Sequence, residues 1–468
     1  MLWLANLVVF ALPGIGLLIV FILARPQEFL PLLQKVPFLH LGAALAAVGY
    51  IVDVRLHRLQ PVATNTLPWV LGFLGWAVFS TAMNQPEGVP HLGVEMAILF
   101  VLYGTIAHGI QRFRTLQFTA GVLAATCLFI AFVCFHQGLA PRQCVGGQAV
   151  VGGVEGHPDG RPCETHMQCS LGPDAEPGLA YRCERVGFFD TYSVEDRVRY
   201  IGELHDPNEV SLTLAAAGIA ILIGFAIRKK GAGSKLLVVL GVALLLATVW
   251  MTKSRGGLVA AMLVPAVWII RRYGIGALIP ALMLAVPVLM LGGRSDASAG
   301  ESTALRYEAW AEGLNMFKHS PVYGIGARLF TDHHYLTAHN SYVLALAELG
   351  IVGMILFVAI IYLSIKTLYV GLRELRPIPG TAAAQVWGMS LLASMAGIIF
   401  QINTLSFAYH SVLWLFFGLV GAWYSAVKHH LPSLDIRIKL LDFVIVVGIC
   451  VMYAFIALPV YLRYKGAM

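Results

Sequence analysis

The chain has little charge. Asp, Glu, Lys and Arg make up 12% of its 468 residues, about half the share in a soluble domain. That leaves too little polar surface to clothe a water-soluble globule of this size. It also lacks any basic run interleaved with aromatic residues. Although the formal net charge is +7, the cations sit in short connectors between apolar runs, so nucleic-acid binding is not expected. No basic segment precedes the first apolar run, and residues 1–24 read as a retained helix rather than a cleaved signal. Charge is scarcest at mid-membrane positions. Glu95 and His108 fall near the ends of their run, and Glu348 is the main exception. Proton-coupled carriers usually hold ionisable groups deep in the bundle, so this scarcity argues against a transporter.

Apolar sequence is what the chain has in abundance, with 58% hydrophobic residues and a mean hydropathy of +0.76. Runs long enough to span hydrocarbon fall at 3–24, 37–52, 67–83, 91–108, 116–136, 208–227, 235–251, 256–271, 274–291, 340–364, 382–401, 407–427 and 440–462. The expected fold is therefore all-α, a polytopic bundle of about 12–13 transmembrane helices with two larger loops. The chain divides into N-terminal helices (1–136), a cysteine-bearing loop (137–207), middle helices (208–291), a second loop with an amphipathic helix (292–339) and C-terminal helices (340–468).

The connectors orient this bundle. With the N-terminus in the cytoplasm, the cytoplasmic connectors hold clusters such as Arg228-Lys229-Lys230, Arg271-Arg272 and Arg437 with Lys439. The opposite short connectors and tail hold only Arg25, Lys35, Lys253, Arg255, Arg463 and Lys465. Basic residues are retained on the cytoplasmic side, so both long loops are expected outside. Cys144, Cys163, Cys169 and Cys183 cluster in the first of them, as expected of disulfides in an oxidising compartment. Three pairings are open. A metal site with His157 and His166 is the alternative, but the spacing lacks the paired C-x-x-C knuckles of structural zinc sites. Cys127, Cys134 and Cys450 lie in apolar runs and read as small hydrophobes.

Polar groups gather at the expected outer boundary. Thr252-Lys253-Ser254-Arg255-Gly256-Gly257 forms a tight turn between two spans, with glycines allowing close approach of backbone or ligand. By itself Arg255 reads as an interfacial, snorkelling arginine. In the second loop, Ser302 or Thr303 is expected to cap a helix running to about Lys318, with Pro321 beyond its end. Leu305, Ala309, Trp310, Leu314 and Phe317 give that helix an apolar stripe, and Arg306 lies one turn from Trp310. A glycine-rich turn, Val322 to Gly326, follows, and then His339-Asn340-Ser341 at the mouth of the next span. Asn340 and Ser341 read most simply as a helix cap. Arginines suit a diphosphate because they are planar, permanently charged and bidentate. A histidine suits removal of a proton from a hydroxyl. Two arginines and one histidine on one leaflet suggest displacement of a lipid-linked pyrophosphate by an acceptor hydroxyl.

At these residues the chain resembles the O-antigen ligase and O-antigen polymerase superfamily of polytopic membrane glycosyltransferases. The resemblance is carried by Thr252 to Gly257, by Arg306-Tyr307-Glu308-Ala309-Trp310, and by His319 to Gly326. Ala338-His339-Asn340-Ser341-Tyr342, Glu348 to Gly353 and Asp206-Pro207-Asn208 extend it over roughly residues 200–370. It implies that Arg255 and Arg306 hold the donor's pyrophosphate and that His339 is the catalytic base of an inverting transfer. Asn340, Tyr307, Trp310, Asp206 and Arg328 are expected to contact substrate. The implied donor is an undecaprenyl-pyrophosphate-linked glycan, with a glycan or lipid acceptor and no cofactor or required metal. The implied setting is the periplasmic face of a bacterial inner membrane, among membrane lipids, with a flippase and a chain-length regulator as further partners. His339-Asn340 is followed by Gly350 and Gly353, then by Met354-Ile355-Leu356 without the second histidine common in the ligase branch. That departure favours a polymerase of lipid-linked repeats over a ligase. An anion or lipid-linked-sugar transporter and a non-catalytic scaffold are the readings from other classes.

Overall fold

A computed structural model describes residues 9–30, 32–150, 153–171, 174–228, 231–277 and 296–467. Among these, eleven helices are long and apolar enough to cross a membrane. The chain is a multi-pass, all-α membrane protein with one small sheet. In order, the helices are α1 (Ala11–Leu23), α2 (Phe38–Arg55), α3 (Leu67–Asn84), α4 (Val89–Gly109) and α5 (Phe113–Leu139). After strands β1 (Arg142–Val150), β2 (Gly153–Pro162) and β3 (Ala180–Arg185) come α6 (Pro207–Arg228), α7 (Ala232–Met251), α8 (Arg255–Tyr273) and α9 (Asp296–His319). The chain closes with α10 (Ser341–Leu375), α11 (Ala382–Gln401), α12 (Ser411–His430) and α13 (Leu440–Tyr464). The expected run at 274–291 lies mostly outside the described residues, and the first run is represented by the 13-residue α1.

Two compact units share the chain. The first comprises Met1–Ile22, Pro37–Val122 and Ser295–Met468. Within it α10 is central, packing on α3, α9, α11, α12 and α13, while α4 lies along α12. Small residues allow that approach: a Cβ on Gly421 would come within 2.7 Å of the Ala107 side chain. Ser425 Oγ donates to the Ala107 carbonyl at 2.9 Å across the same seam. Close backbone contact and interhelical hydrogen bonds replace the hydrophobic effect, which is weak between helices in lipid.

Hydropathy predicts α10 as one uninterrupted span, and here the structure differs. Gly350 breaks the helix with φ 64° and ψ −167°, a conformation open to glycine because it has no Cβ. Backbone groups freed at the break find partners on other segments. Ile325 N donates to Ala347 O, Gly326 N to Glu348 O, and Ile351 N to Pro321 O, at 3.1, 2.9 and 2.9 Å. From α3, Ser80 Oγ donates to Glu348 O and Trp76 Nε1 to Leu349 O, both at 2.9 Å. Irregular backbone at membrane depth is tolerated where protein buries and satisfies it. The glycine-rich turn at 322–326 is therefore docked on the break in α10.

The second unit comprises Leu23–Val36 and Leu123–Arg294. In it α6 carries a π-helical segment, Leu214–Ile219, against which α7 and α8 pack. The cysteine loop folds as a three-stranded antiparallel sheet in the order β2-β1-β3. Its disulfides are Cys144–Cys169 and Cys163–Cys183. The core beneath is little more than these sulfurs and Tyr181, too small to hold a sheet without covalent staples.

Candidate functional site

Arg306, Tyr307 and Trp310 lie on α9. That helix starts at Asp296, earlier than the expected cap, so Ser302 and Thr303 are internal. No apolar stripe marks the extra turn, but Ala297 and Ala299 favour helix. The helix ends at His319, just before Pro321. Ala309, Leu314 and Phe317 are buried, so the apolar stripe docks α9 on α10.

Trp310 makes the informative contact. Its Nε1 donates to the carbonyl of Ala338 at 2.8 Å, the residue before His339. On the other side Asn340 caps α10, its Oδ1 accepting from Tyr342 N at 3.0 Å and Val343 N at 3.2 Å. Its Nδ2 reaches Tyr453 OH at 3.4 Å. His339 sits between these anchors with φ 45°. A left-handed backbone is rare without glycine, and it persists where the surroundings over-determine it. Ser341 fixes the helix start, with Oγ donating to Leu405 O at 2.7 Å and accepting from Phe407 N at 2.8 Å. The half-exposed His339 ring thus stands at the N-terminal end of α10, where the helix dipole contributes positive potential.

Beside Trp310, the Tyr307 hydroxyl meets that of Tyr461 at 3.0 Å, and the three rings pack together. Lys465 Nζ lies 5.8 Å from the centroids of both tyrosine rings. Arg328, the other expected residue of this unit, is exposed, with φ 67°. Its Nε lies 3.3 Å from Glu95 Oε2, and its guanidinium lies over the Tyr409 ring at 5.3 Å. Burial pushes the Tyr409 phenol well above its usual 10. The buried Glu348 carboxylate accepts from Phe330 N at 3.1 Å, tying α10 to the segment after Arg328.

Arg255 and Asp206 belong to the second unit. Ser254 caps α8, accepting from Gly257 N at 3.1 Å, which sets the exposed Arg255 at the first helical position. A Cβ on Gly257 would collide with the side chain of Ser211, so this glycine serves the packing of α8 on α6. Asp206 caps α6 by accepting from Asn208 N at 2.7 Å, in a capping box with Glu209. Asn208 Oδ1 joins the two turns, accepting from Ser254 Oγ at 2.7 Å and Arg197 Nη2 at 3.1 Å. Arg197, 3% exposed, also donates through Nε to Thr252 O at 2.9 Å.

The first unit therefore brings Arg306, Tyr307, Trp310, His339 and Asn340 together through α9 and the start of α10, with Arg328 held by Glu95 and Tyr409. The second joins Asp206 to the Arg255 turn. Arg197, Tyr453 and Tyr461 were missed from sequence because no local pattern marks a partner that is distant along the chain. Among the described residues, the one cluster suited to a metal is Cys144, Cys163 and Cys169, whose sulfurs are in disulfides. No curated protein matches the chain. Residues 210–358 match the O-antigen ligase family, and that match supports membership in the O-antigen ligase and polymerase superfamily.

Proposed function

We propose that this protein is a glycosyltransferase of the periplasmic face of the bacterial inner membrane that polymerises undecaprenyl-pyrophosphate-linked oligosaccharide repeats. The observation that carries this is the Trp310–Ala338 hydrogen bond, which fastens the helix bearing Arg306 to the backbone of His339. His339 removes the proton from an acceptor hydroxyl, whose oxygen attacks the donor's anomeric carbon. The bond from that carbon to the phosphate oxygen breaks, with inversion, and undecaprenyl pyrophosphate departs. Arg306 offsets its charge, a role a divalent metal has in many transferases, and the family resemblance implies the same role for Arg255. Arginine presents two parallel donors to a phosphate, so Arg255→Lys is impaired.

His339→Ala and Arg306→Ala are expected to abolish transfer while the protein still inserts and accumulates. Full activity in either variant sinks the assignment. The description of the matched family favours a second reading, a ligase that passes the lipid-linked glycan to lipid A-core or another acceptor. The glycan profile of a deletion strain separates the two. Single repeats still attached to the acceptor identify a polymerase; full-length polymer stranded on its lipid carrier identifies a ligase.

A further inference from the structure

A cleft of about 480 Å³ opens along α9, lined by Tyr307, Glu308, Glu312, Asn315, His334 and Lys465. Residues 307, 308, 311, 312 and 315 follow helical spacing on the face turned away from the buried stripe of Ala309, Gly313 and Phe317. Arg306 and Glu308 lie about 100° to either side of Tyr307, and so about 200° apart around the helix. The same helix thus gives its arginine to one side and a carboxylate-bearing cleft to the other.

The chemistry of the cleft is unsuited to a phosphate. Glu308 and Glu312 face one ammonium, that of Lys465, so a diphosphate here would meet a carboxylate excess. Hydroxyl groups suit it, since carboxylates accept from them, the Asn315 amide both donates and accepts, and Tyr307 offers a ring edge. One member is built in advance of any ligand. The His334 side chain is 8% exposed and its Nδ1 is engaged by the Leu336 backbone at 3.0 and 3.1 Å. Its Nε2 has no hydrogen-bond partner and lies 3.9 Å from Glu308 Oε1. That separation is too long for a hydrogen bond, yet a small shift of the exposed Glu308 side chain would let one hydroxyl oxygen bond both groups at about 2.8 Å. A buried ring nitrogen without a partner is costly, and a bridging hydroxyl removes the cost.

A short stretch of chain joins the cleft to the proposed reaction centre. His334 lies in the cleft, and Ala338, on Trp310, adjoins His339. The two histidines are five positions apart in the chain, a reach of at most about 17 Å. That reach admits a few sugar rings between the cleft and His339.

We infer that this cleft is a distal saccharide subsite, which grips a glycan several sugars from the hydroxyl presented to His339, with Glu308 and His334 sharing one sugar hydroxyl. The inference rests on the function proposed above and adds to it a length requirement for the acceptor. Its test uses the full chain in nanodiscs. The probes are oligosaccharides of one, two and three repeats, released by mild acid from the host cell's own surface polysaccharide. Glu308→Gln and Glu312→Gln keep side-chain size and remove charge. The double variant is expected to bind the longer oligosaccharides about tenfold more weakly, as for loss of a charge-assisted hydrogen bond. It should raise the acceptor KM far more than it lowers kcat, and it should shorten the polymer.

Binding, KM and chain length all equal to wild type in the double variant overturn the subsite. So does binding that follows the phosphatidylethanolamine content of the nanodisc rather than the oligosaccharide, which would make this a lipid-headgroup contact. His339→Ala keeps the two levels apart. If it abolishes transfer while the double variant behaves as wild type, the subsite fails and the function stands. If oligosaccharide binding needs Glu308 and Glu312 but His339→Ala retains full transfer, the subsite stands and the catalytic assignment fails.

Discussion

His339 is held at both flanks by bonds that its own side chain does not make. The Trp310 indole fixes the carbonyl before it and the Asn340 cap fixes the turn after it. Trp310→Phe keeps an aromatic ring in place and deletes the donor, leaving the Ala338 carbonyl short of a partner. Stability is expected to fall by about 1 kcal/mol. Transfer should fall by about tenfold, because a small misplacement of a catalytic group is expensive. A thermal melt in detergent and an in vitro polymerisation assay read the two effects. Asn208 has the corresponding position in the second unit, where Arg197 and Ser254 both depend on its Oδ1. Asn208→Ala strands a donor on nearly buried Arg197 and should cost about 1–3 kcal/mol, seen as a lower melting temperature. A melting temperature equal to wild type would mean that Asn208 does not hold the Arg255 turn.

At the scale of elements, α10 is two helical pieces joined at a break, and the turn at 322–326 exists to satisfy that break. A Cβ on Gly350 would meet the Val322 carbonyl, and Gly350 needs positive φ. Gly350→Ala therefore combines a clash with a positive-φ backbone that is essentially glycine-only and costs about 1–3 kcal/mol. Gly448, on α13, has open space around its would-be Cβ. There alanine is expected to be neutral or stabilising, since glycine costs up to about 1 kcal/mol inside a helix. Matched melts of the two variants check the contrast, and equal midpoints would refute it. Hydropathy could not foresee the break: Gly350 lies in a run whose apolar character continues on both sides. Glycine occurs in many unbroken membrane helices, and only the polar groups at Trp76, Ser80, Ile325 and Gly326 make this one a turn.

At the scale of the molecule, the disulfide-stapled sheet and the helices depend on different forces. Cys163→Ser with Cys183→Ser frees a loop of sequence separation 20, which should cost the sheet about 3 kcal/mol. The span helices bury their backbone bonds independently of it. Limited proteolysis is expected to cut within 140–200 while the helical circular dichroism signal persists; loss of both together would contradict this division. Burial also raises the Glu184 carboxyl above its ordinary value, opposed by hydrogen bonds from Ser193 and from the Glu195 and Asp196 backbone. A raised folded-state value means that stability present below the unfolded carboxylate value, about pH 4.3, declines as pH rises through the folded value. Glu184→Gln should flatten that decline in the sheet's resistance to protease.

Sequence alone determined the membrane-spanning class, the placement of most spans, and the residues worth testing: Arg255, Arg306 and His339. Hydropathy is a sum over neighbours in the chain, and helix length follows directly from the thickness of hydrocarbon. The cap residue Asn340 was legible for the same reason, because a cap bonds backbone two or three positions away, whereas the capping role of Asp206 emerged only in the structure. What only the tertiary structure decided is the choice of distant partners. These include Trp310 for Ala338, Asn208 for Ser254 and Arg197, Tyr461 for Tyr307, the turn at 322–326 for the break in α10, and the pairing of four cysteines. Each joins groups that are not neighbours in the sequence, and the buried ones among them are selected by which backbone and side-chain groups would otherwise lack a hydrogen bond.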